Sequence, residues 1–159
     1  MKKIYLTILL FFLLSTNAFA FITFKQSKDI SDDTDDLRGI FIKPDGTRVY
    51  VTSDDATPTV IEYSLNVPFD ISTATKTSST FLTNIDKPHA IHFKSDGKVM
   101  YVVDNGSLTI EQYNLTTAWD TSTLVYDDNF TVSNEDQLRS LAFKYDGTRM
   151  YVTLLARHI

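Results

Sequence analysis

Three residues whose side chains bind anions or form hydrogen bonds recur at a nearly constant spacing in this sequence. Arg38, His89 and Arg139 lie 51 and 50 residues apart. Arginine forms charge-assisted hydrogen bonds with carboxylates and phosphates, and histidine donates or accepts hydrogen bonds. If the fold brings these side chains together, they predict a site for a small polar or anionic ligand. The alternative is that each forms a solvated ion pair, worth little energy, with a nearby acidic residue. These acidic residues are Asp36, Asp86 and Asp136.

Histidine and aspartate also raise the question of a metal site, but their spacing argues against one. His89 and His92 are three residues apart, and residues three apart on a strand point to opposite faces of a sheet. The longest acidic run does not match a calcium-binding loop. With Asp33 as position 1, Arg38 stands where that loop needs glycine, and Pro44 stands where it needs glutamate. We therefore predict no metal and no cofactor.

The sequence lacks the signatures of several enzyme classes. It has no nucleophile elbow of the Gly-x-Ser-x-Gly type, no glycine-rich phosphate loop and no His-Glu-x-x-His zinc motif. It also contains no cysteine, which excludes disulfides and thiolate ligands. These enzyme families are excluded, and no catalytic residue is predicted.

A repeated hairpin pattern positions the three basic residues. Three segments share an Asp-Gly pair flanked by alternating apolar residues, and their glycines are Gly46, Gly97 and Gly147. Glycine adopts positive φ without a Cβ clash, and aspartate bonds its own backbone, so Asp-Gly favours a tight turn. Alternation of apolar residues is typical of β-strands. The three hairpins cover 40–52, 91–103 and 141–153.

The first two hairpins are followed by further matching segments. A third strand is predicted at Thr59–Leu65 and at Thr109–Leu115. An aromatic residue followed by Asp-x-Ser-Thr comes next, at Phe69–Thr73 and at Trp119–Thr123. This pattern predicts a ring packed over the edge of the sheet and an aspartate that caps a short turn. A fourth, outer strand completes each unit of about fifty residues.

Four-stranded units of this kind predict an all-β fold. A four-stranded meander cannot bury both faces alone, so successive copies must stack, and radial stacking produces a β-propeller. A flat stack or a β-sandwich is the alternative. The unit boundaries fall near 37–87, 88–137 and 138–159, which makes an incomplete propeller of about two and a half blades. The first strand of each blade lines the central channel. Arg38, His89 and Arg139 stand just before these strands, so we expect them at one mouth of the channel.

Residues 1–20 have the features of a signal peptide. Lys2 and Lys3 precede an apolar run from Ile4 to Leu14, and Ala18-Phe19-Ala20 is a small-x-small cleavage site. The alternative is an uncleaved membrane anchor, although the apolar run is short for one. We expect cleavage, a repeat domain over 21–159 without stable membrane insertion, and export to the periplasm, the cell surface or the medium. Residues 21–24 resemble the last strand of a unit.

The hairpin sequence resembles a known group of exported propellers. Ile42–Thr52 reads Ile-Lys-Pro-Asp-Gly-Thr-Arg-Val-Tyr-Val-Thr, which is similar to the repeat of the YVTN and lactonase-like superfamily. The resemblance implies a propeller fold and a metal or carboxylate site at the channel. Ser53, Asp104 and Leu154 stand where the family pattern has asparagine, and no catalytic residue of the family can be matched.

These observations predict a binding or interaction scaffold more than an enzyme. Closed propellers have four to eight blades, so we expect either a fragment of a longer propeller or an assembly of several copies through open blade edges. The partner would be an unknown protein or a small polar or anionic ligand. Nucleic acid is excluded because the formal net charge is −5. The alternative functions are a lactonase-like hydrolase with a channel site completed by further blades, and a fragment without function.

Overall fold

The structure is a computed structural model that describes residues 26–132, 137–144 and 146–155. The predicted signal peptide, the strand predicted at 21–24, Asp136 and Tyr145 lie outside these residues. The described part is built from β-strands and two three-residue 3₁₀ helices, which confirms the all-β prediction. Within these residues, no helix has the length and apolar character that crossing a membrane requires.

The strands form three antiparallel sheets in chain order. The first sheet contains β1 (Leu37–Ile42), β2 (Arg48–Ser53), β3 (Thr59–Leu65) and β4 (Ala74–Phe81). The second contains β5 (Pro88–Phe93), β6 (Val99–Asp104), β7 (Thr109–Leu115) and β8 (Leu124–Thr131). The third contains β9 (Gln137–Phe143) and β10 (Met150–Leu155). Each complete sheet is therefore a meander of four strands, as predicted.

The Asp-Gly turns have the predicted geometry. Gly46, Gly97 and Gly147 have φ angles of 72°, 70° and 69°, a region that disfavours any side chain. In the first turn the Asp45 carboxylate accepts from the backbone N–H of Thr47 at 3.0 Å, and the corresponding bond recurs in the other two turns. The same local chemistry therefore ends the inner strand of each sheet.

The sheets stack face to face, with their first strands side by side. β1 lies beside β5, and β5 lies beside β9. The largest apolar cluster fills the space between the first two sheets. Tyr50 and Val60 enter it from the first sheet, and Ile91, Phe93 and Met100 enter it from the second. This is the arrangement of successive blades in a β-propeller.

The Asp-x-Ser-Thr segments form the two 3₁₀ helices, at Ile71–Thr73 and Thr121–Thr123. Asp70 and Asp120 cap them by accepting from the N–H two residues later, so the predicted cap is confirmed. The preceding aromatic rings lie on the Asp-Gly turns of their own hairpins, which corrects the predicted position at the sheet edge. A Cβ added at Gly97 would come within 2.3 Å of the Trp119 ring.

A turn follows β6 at the dipeptide Asn105-Gly106. That dipeptide favours a tight turn with positive φ at glycine, but the positive φ in this loop, 56°, belongs to Leu108. Gly106 is needed for space, because a Cβ there would lie 2.3 Å from the Asp86 carboxylate. The loop is held by the buried Asp104 carboxylate, which accepts from the N–H of Gly106 at 2.8 Å.

Candidate functional site

The three basic residues predicted from the repeat lie on three neighbouring inner strands. Arg38 is the second residue of β1, His89 is the second of β5, and Arg139 is the third of β9. They therefore lie inside the strands, not before them as predicted. They occupy the ends of these strands farthest from the Asp-Gly turns.

Arg38 is held by two carboxylates. Its Nη2 lies 2.6 Å from an Asp36 oxygen and 3.3 Å from an Asp54 oxygen. Its side chain is 35% exposed, so solvent screens both pairs. The ion-pair alternative therefore describes the contacts of Arg38, and an anionic ligand would share or displace these carboxylates.

His89 lies between the two arginines. Burial lowers the pKa of its imidazole, the positive charges of Arg139 and Arg38 lower it further, and Asp54 and Asp36 oppose them. The ring is therefore neutral at neutral pH and has one donor and one acceptor nitrogen. Because β5 lies between β1 and β9, the positive charges of Arg38 and Arg139 from the first and third sheets flank this neutral ring.

The backbone beneath these residues is packed closely. Thr52 Oγ1 donates to the His89 carbonyl at 2.6 Å and accepts from the Gly39 N–H at 2.8 Å. A Cβ on Gly39 would come within 2.2 Å of the same carbonyl. A side chain at this position would therefore push the inner strands of the first two sheets apart.

We name Arg38, His89 and Arg139 the channel-end cluster. Arg139 donates to the Gln137 side chain, so it is also partly engaged. Two guanidinium groups and a neutral imidazole can bind a carboxylate, a phosphate or a polyhydroxy compound. The described residues contain no group of three metal-binding side chains.

A buried polar cluster between the first two sheets was not predicted from the sequence. Glu62 on β3 is 2% exposed and forms an ion pair with Arg48 on β2. Its other oxygen accepts from the N–H and the hydroxyl of Thr121, in the 3₁₀ helix that precedes β8, at 3.0 and 2.9 Å. The only signal in the sequence was a charged residue within an apolar strand.

The turn that carries Trp119 is fastened to the first sheet by the same cluster. Trp119 has a φ of 67°, and its carbonyl accepts from the Tyr50 hydroxyl at 2.8 Å and from Arg48 at 3.3 Å. Burial raises the pKa of Tyr50, which keeps the phenol protonated as a donor. The second sheet is therefore joined to the first by hydrogen bonds as well as by apolar packing.

A cavity of about 900 Å³ opens at the opposite ends of the inner strands, beside the Asp-Gly turns. Aromatic side chains dominate its wall, and lysines and aspartates of the second and third turns form its rim. Burial lowers the pKa of His92, whose ring lies 4.9 Å from the Phe143 ring. We name this space the turn-side cavity.

Comparisons with known proteins identify the fold. No protein-family model matches the chain, and a search of curated proteins finds no match. Among solved structures, a candidate 6-phosphogluconolactonase from Bacteroides uniformis is 13% identical with a TM-score of 0.59 and matches over 76% of this chain and 34% of its own. A periplasmic gluconolactonase from Pseudomonas aeruginosa is 14% identical with a TM-score of 0.54 and matches over 74% and 33%.

A third similar structure, a functionally unknown protein from Desulfotomaculum acetoxidans, is 19% identical with a TM-score of 0.57 and matches over 74% of this chain and 35% of its own. The chain therefore spans about a third of the length of each of these proteins. The similarity shows a lactonase-like β-propeller fold.

Proposed function

We propose that this chain is a propeller-type binding scaffold whose channel-end cluster holds a small polar or anionic ligand. The observation that supports this proposal is the position of Arg38, His89 and Arg139 at the same end of three neighbouring inner strands. An arginine fork binds a carboxylate or a phosphate with two parallel hydrogen bonds. The neutral imidazole adds a donor or an acceptor for a hydroxyl group.

Calorimetric titration with inorganic phosphate and with gluconate tests this proposal. The double variant Arg38→Gln, Arg139→Gln should weaken binding by at least tenfold, because each charge-assisted hydrogen bond contributes about 1.5–3 kcal/mol. Lys98→Gln is the matched control, since Lys98 is exposed beside the second Asp-Gly turn. Equal affinity of the double variant and the wild type, or no binding of either probe, would contradict the proposal.

A lactonase-like hydrolase is the second candidate. It is favoured by the similarity to a candidate 6-phosphogluconolactonase and a periplasmic gluconolactonase. The test is proton release from glucono-lactone and its 6-phosphate in a weakly buffered solution. Hydrolysis above the spontaneous rate that is lost in Arg38→Gln or His89→Ala would establish the enzyme, whereas binding without turnover would establish the scaffold.

Export to the periplasm, the cell surface or the medium belongs to the same proposal. It rests on the pattern of residues 1–20 and on the periplasmic location of one similar protein. Expression in a bacterial host, followed by intact-mass analysis of the cell fractions, tests it. A product in the periplasm that begins near Phe21 is expected, and an uncleaved cytoplasmic product would contradict export.

A further inference from the structure

The environment of Trp119 recurs one unit later in the chain. The Trp119 ring centroid lies 5.4 Å from that of Phe93, 6.2 Å from that of Phe41 and 6.5 Å from that of Tyr50. The ring also covers Gly97, and the Lys43 ammonium lies 5.5 Å from its centroid. Trp119 therefore occupies a defined aromatic socket between the first and second sheets.

Strand register identifies the counterparts of these socket residues. Phe41 pairs with Tyr50 in the first sheet, and His92 pairs with Tyr101 in the second. Phe93 pairs with Met100, and its counterpart Phe143 pairs with Met150. The residues that correspond to the whole socket are His92, Lys94, Tyr101, Phe143 and Gly147.

All five counterparts line the turn-side cavity. Where Gly97 has the Trp119 ring against it, a Cβ added at Gly147 would have no heavy atom within 4 Å. The His92, Tyr101 and Phe143 rings form one wall, with the Phe143 ring 5.0 Å from that of Tyr101. The turn-side cavity therefore has the lining of an aromatic socket.

A hydrogen-bonding position accompanies the socket. Glu62 pairs with Tyr50 across β2 and β3, and Gln112 pairs with Tyr101 at the same register in the second sheet. Glu62 accepts from the N–H of Thr121, two residues after Trp119. Glutamine can replace it in this role, since Gln26 accepts from the N–H of Ile71, two residues after Phe69, at 2.6 Å.

We infer that the turn-side cavity binds an aromatic side chain presented by a polypeptide segment with the aromatic-Asp-x-Ser-Thr turn. Among the described residues, β10 pairs with β9 alone, so its other edge can accept an added strand. In the second sheet, β7 pairs with β6 and leads into the Trp119 turn. A segment that pairs with β10 in the same way would carry its aromatic residue to Gly147 and its turn to Gln112.

Fluorescence anisotropy with a labelled synthetic peptide tests this inference on the full chain. The probe has the sequence of residues 109–124, which supplies a strand and the turn together. A matched peptide with the change Trp119→Ala is expected to bind at least about tenfold more weakly, because burial of an aromatic ring is lost. Equal binding of the two peptides would overturn the inference.

Two pairs of protein variants locate the peptide. Ser95 is exposed on the cavity wall, so Ser95→Trp should fill the cavity and weaken binding about tenfold, whereas Ser107→Trp in the loop after β6 should not. Gln112→Ala should weaken binding severalfold, and Gln112→Glu should preserve it because Glu62 fulfils this role between the first two sheets. Thermal melting checks that all four variants fold.

Other occupants give different results. If free indole competes at the same concentration as the peptide, the cavity selects a small aromatic compound and the inference is wrong. If sedimentation shows self-association that Ser95→Trp abolishes while the peptide does not bind, the occupant is a second copy and the inference is also wrong. Peptide binding with the expected response to both variant pairs confirms it.

Discussion

Two isoleucines at the same position of successive sheets have opposite environments. Ile40 pairs with Val51 on the inner hairpin of the first sheet, and Ile91 pairs with Val102 on that of the second. Ile40 is 64% exposed, whereas Ile91 is 4% exposed. Ile91 faces the first sheet across the main apolar cluster. The local sequence sets the strand and its apolar face, but a neighbouring sheet decides whether that face is buried.

Polar residues show the same difference. Glu62 is buried where two complete sheets meet and binds the turn of the second sheet. Its counterpart Gln112 is only partly buried, and its amide donates to Asp127 on its own sheet. Glu62 therefore joins the first sheet to the turn of the second, whereas the described hydrogen bond of Gln112 stays within its own sheet.

The largest expected effect on the free energy of unfolding is that of replacing one of the two isoleucines, Ile91. Ile91→Ala should lower the free energy of unfolding by about 3 kcal/mol, because it opens a cavity between the sheets. Ile40→Ala should lower it by less than about 1 kcal/mol, since most of that side chain is already in solvent. Urea denaturation monitored by Trp119 fluorescence measures both values. Equal losses would show that the faces of the two sheets are covered alike.

A smaller effect on the free energy of unfolding is expected for Glu62 and its counterpart Gln112. Glu62→Ala leaves the Thr121 N–H and hydroxyl without their acceptor and should cost about 2 kcal/mol of unfolding free energy. Gln112→Ala should be close to neutral, because Gln112 is partly exposed. The same denaturation experiment compares them. A larger loss for Gln112→Ala than for Glu62→Ala would contradict the assignment of Glu62 as the fastening residue.

Glu111 occupies the position in the second sheet that the apolar residue Ile61 occupies in the first. Glu111 is 2% exposed, and its side chain has an oxygen without a hydrogen-bond partner among the described residues. Burial raises the pKa of Glu111 above its ordinary 4.5. Folding therefore favours the protonated form, and the stability that this group contributes below about pH 4.5 is lost as the pH rises through the folded-state pKa.

Glu111→Gln should remove this pH dependence and raise the unfolding free energy at neutral pH by about 1 kcal/mol. Denaturation of the wild type and the variant at about pH 4 and about pH 7 measures the difference between them. Glu111, whose pKa is raised, differs in this respect from aspartates such as Asp33, whose pKa is lowered by hydrogen bonds from Lys76 and Tyr63. If the difference in unfolding free energy between Glu111→Gln and the wild type does not widen with rising pH, Glu111 is not the source of the pH dependence.

The smallest effect is expected at the channel-end cluster. Arg38→Gln removes the ion pairs with Asp36 and Asp54, which solvent screens, and it should change the unfolding free energy by less than about 1 kcal/mol. The same change should weaken phosphate binding. Loss of stability together with loss of binding would indicate a structural role for Arg38 in place of ligand binding.

Local chemistry made much of the fold predictable from the sequence. The Asp-Gly turns, the alternating strands and the Asp70 and Asp120 caps each depend on a few adjacent residues, and all three are present in the structure. Contacts between sheets were not predictable in the same way. Nothing near Glu62 in the sequence indicates Thr121 as its partner, 59 residues later.

The two candidate sites differ in the same way, since only one of them could be predicted from the sequence. The recurrence of Arg38, His89 and Arg139 predicted that they lie at one end of three inner strands, because residues one repeat unit apart occupy equivalent positions in successive sheets. The contact of Arg38 with Asp54 depends on the fold of the loop after β2. The aromatic socket depends on the packing of two sheets, so it could be recognised only when the strands were in register.

The most direct test of the stacked-sheet architecture is a disulfide between β4 of the first sheet and the 3₁₀ helix that precedes β8 of the second. Ser78 Oγ and Thr121 Oγ1 lie 3.0 Å apart, and the chain has no cysteine of its own. Oxidised Ser78→Cys, Thr121→Cys should form an intramolecular disulfide, visible as a faster band on a non-reducing gel and confirmed by mass spectrometry. Ser79 points to the other face of β4, so Ser79→Cys, Thr121→Cys should not form one. Crosslinking of the Ser79 pair, or no crosslink in the Ser78 pair, would contradict the face-to-face stacking of the two sheets.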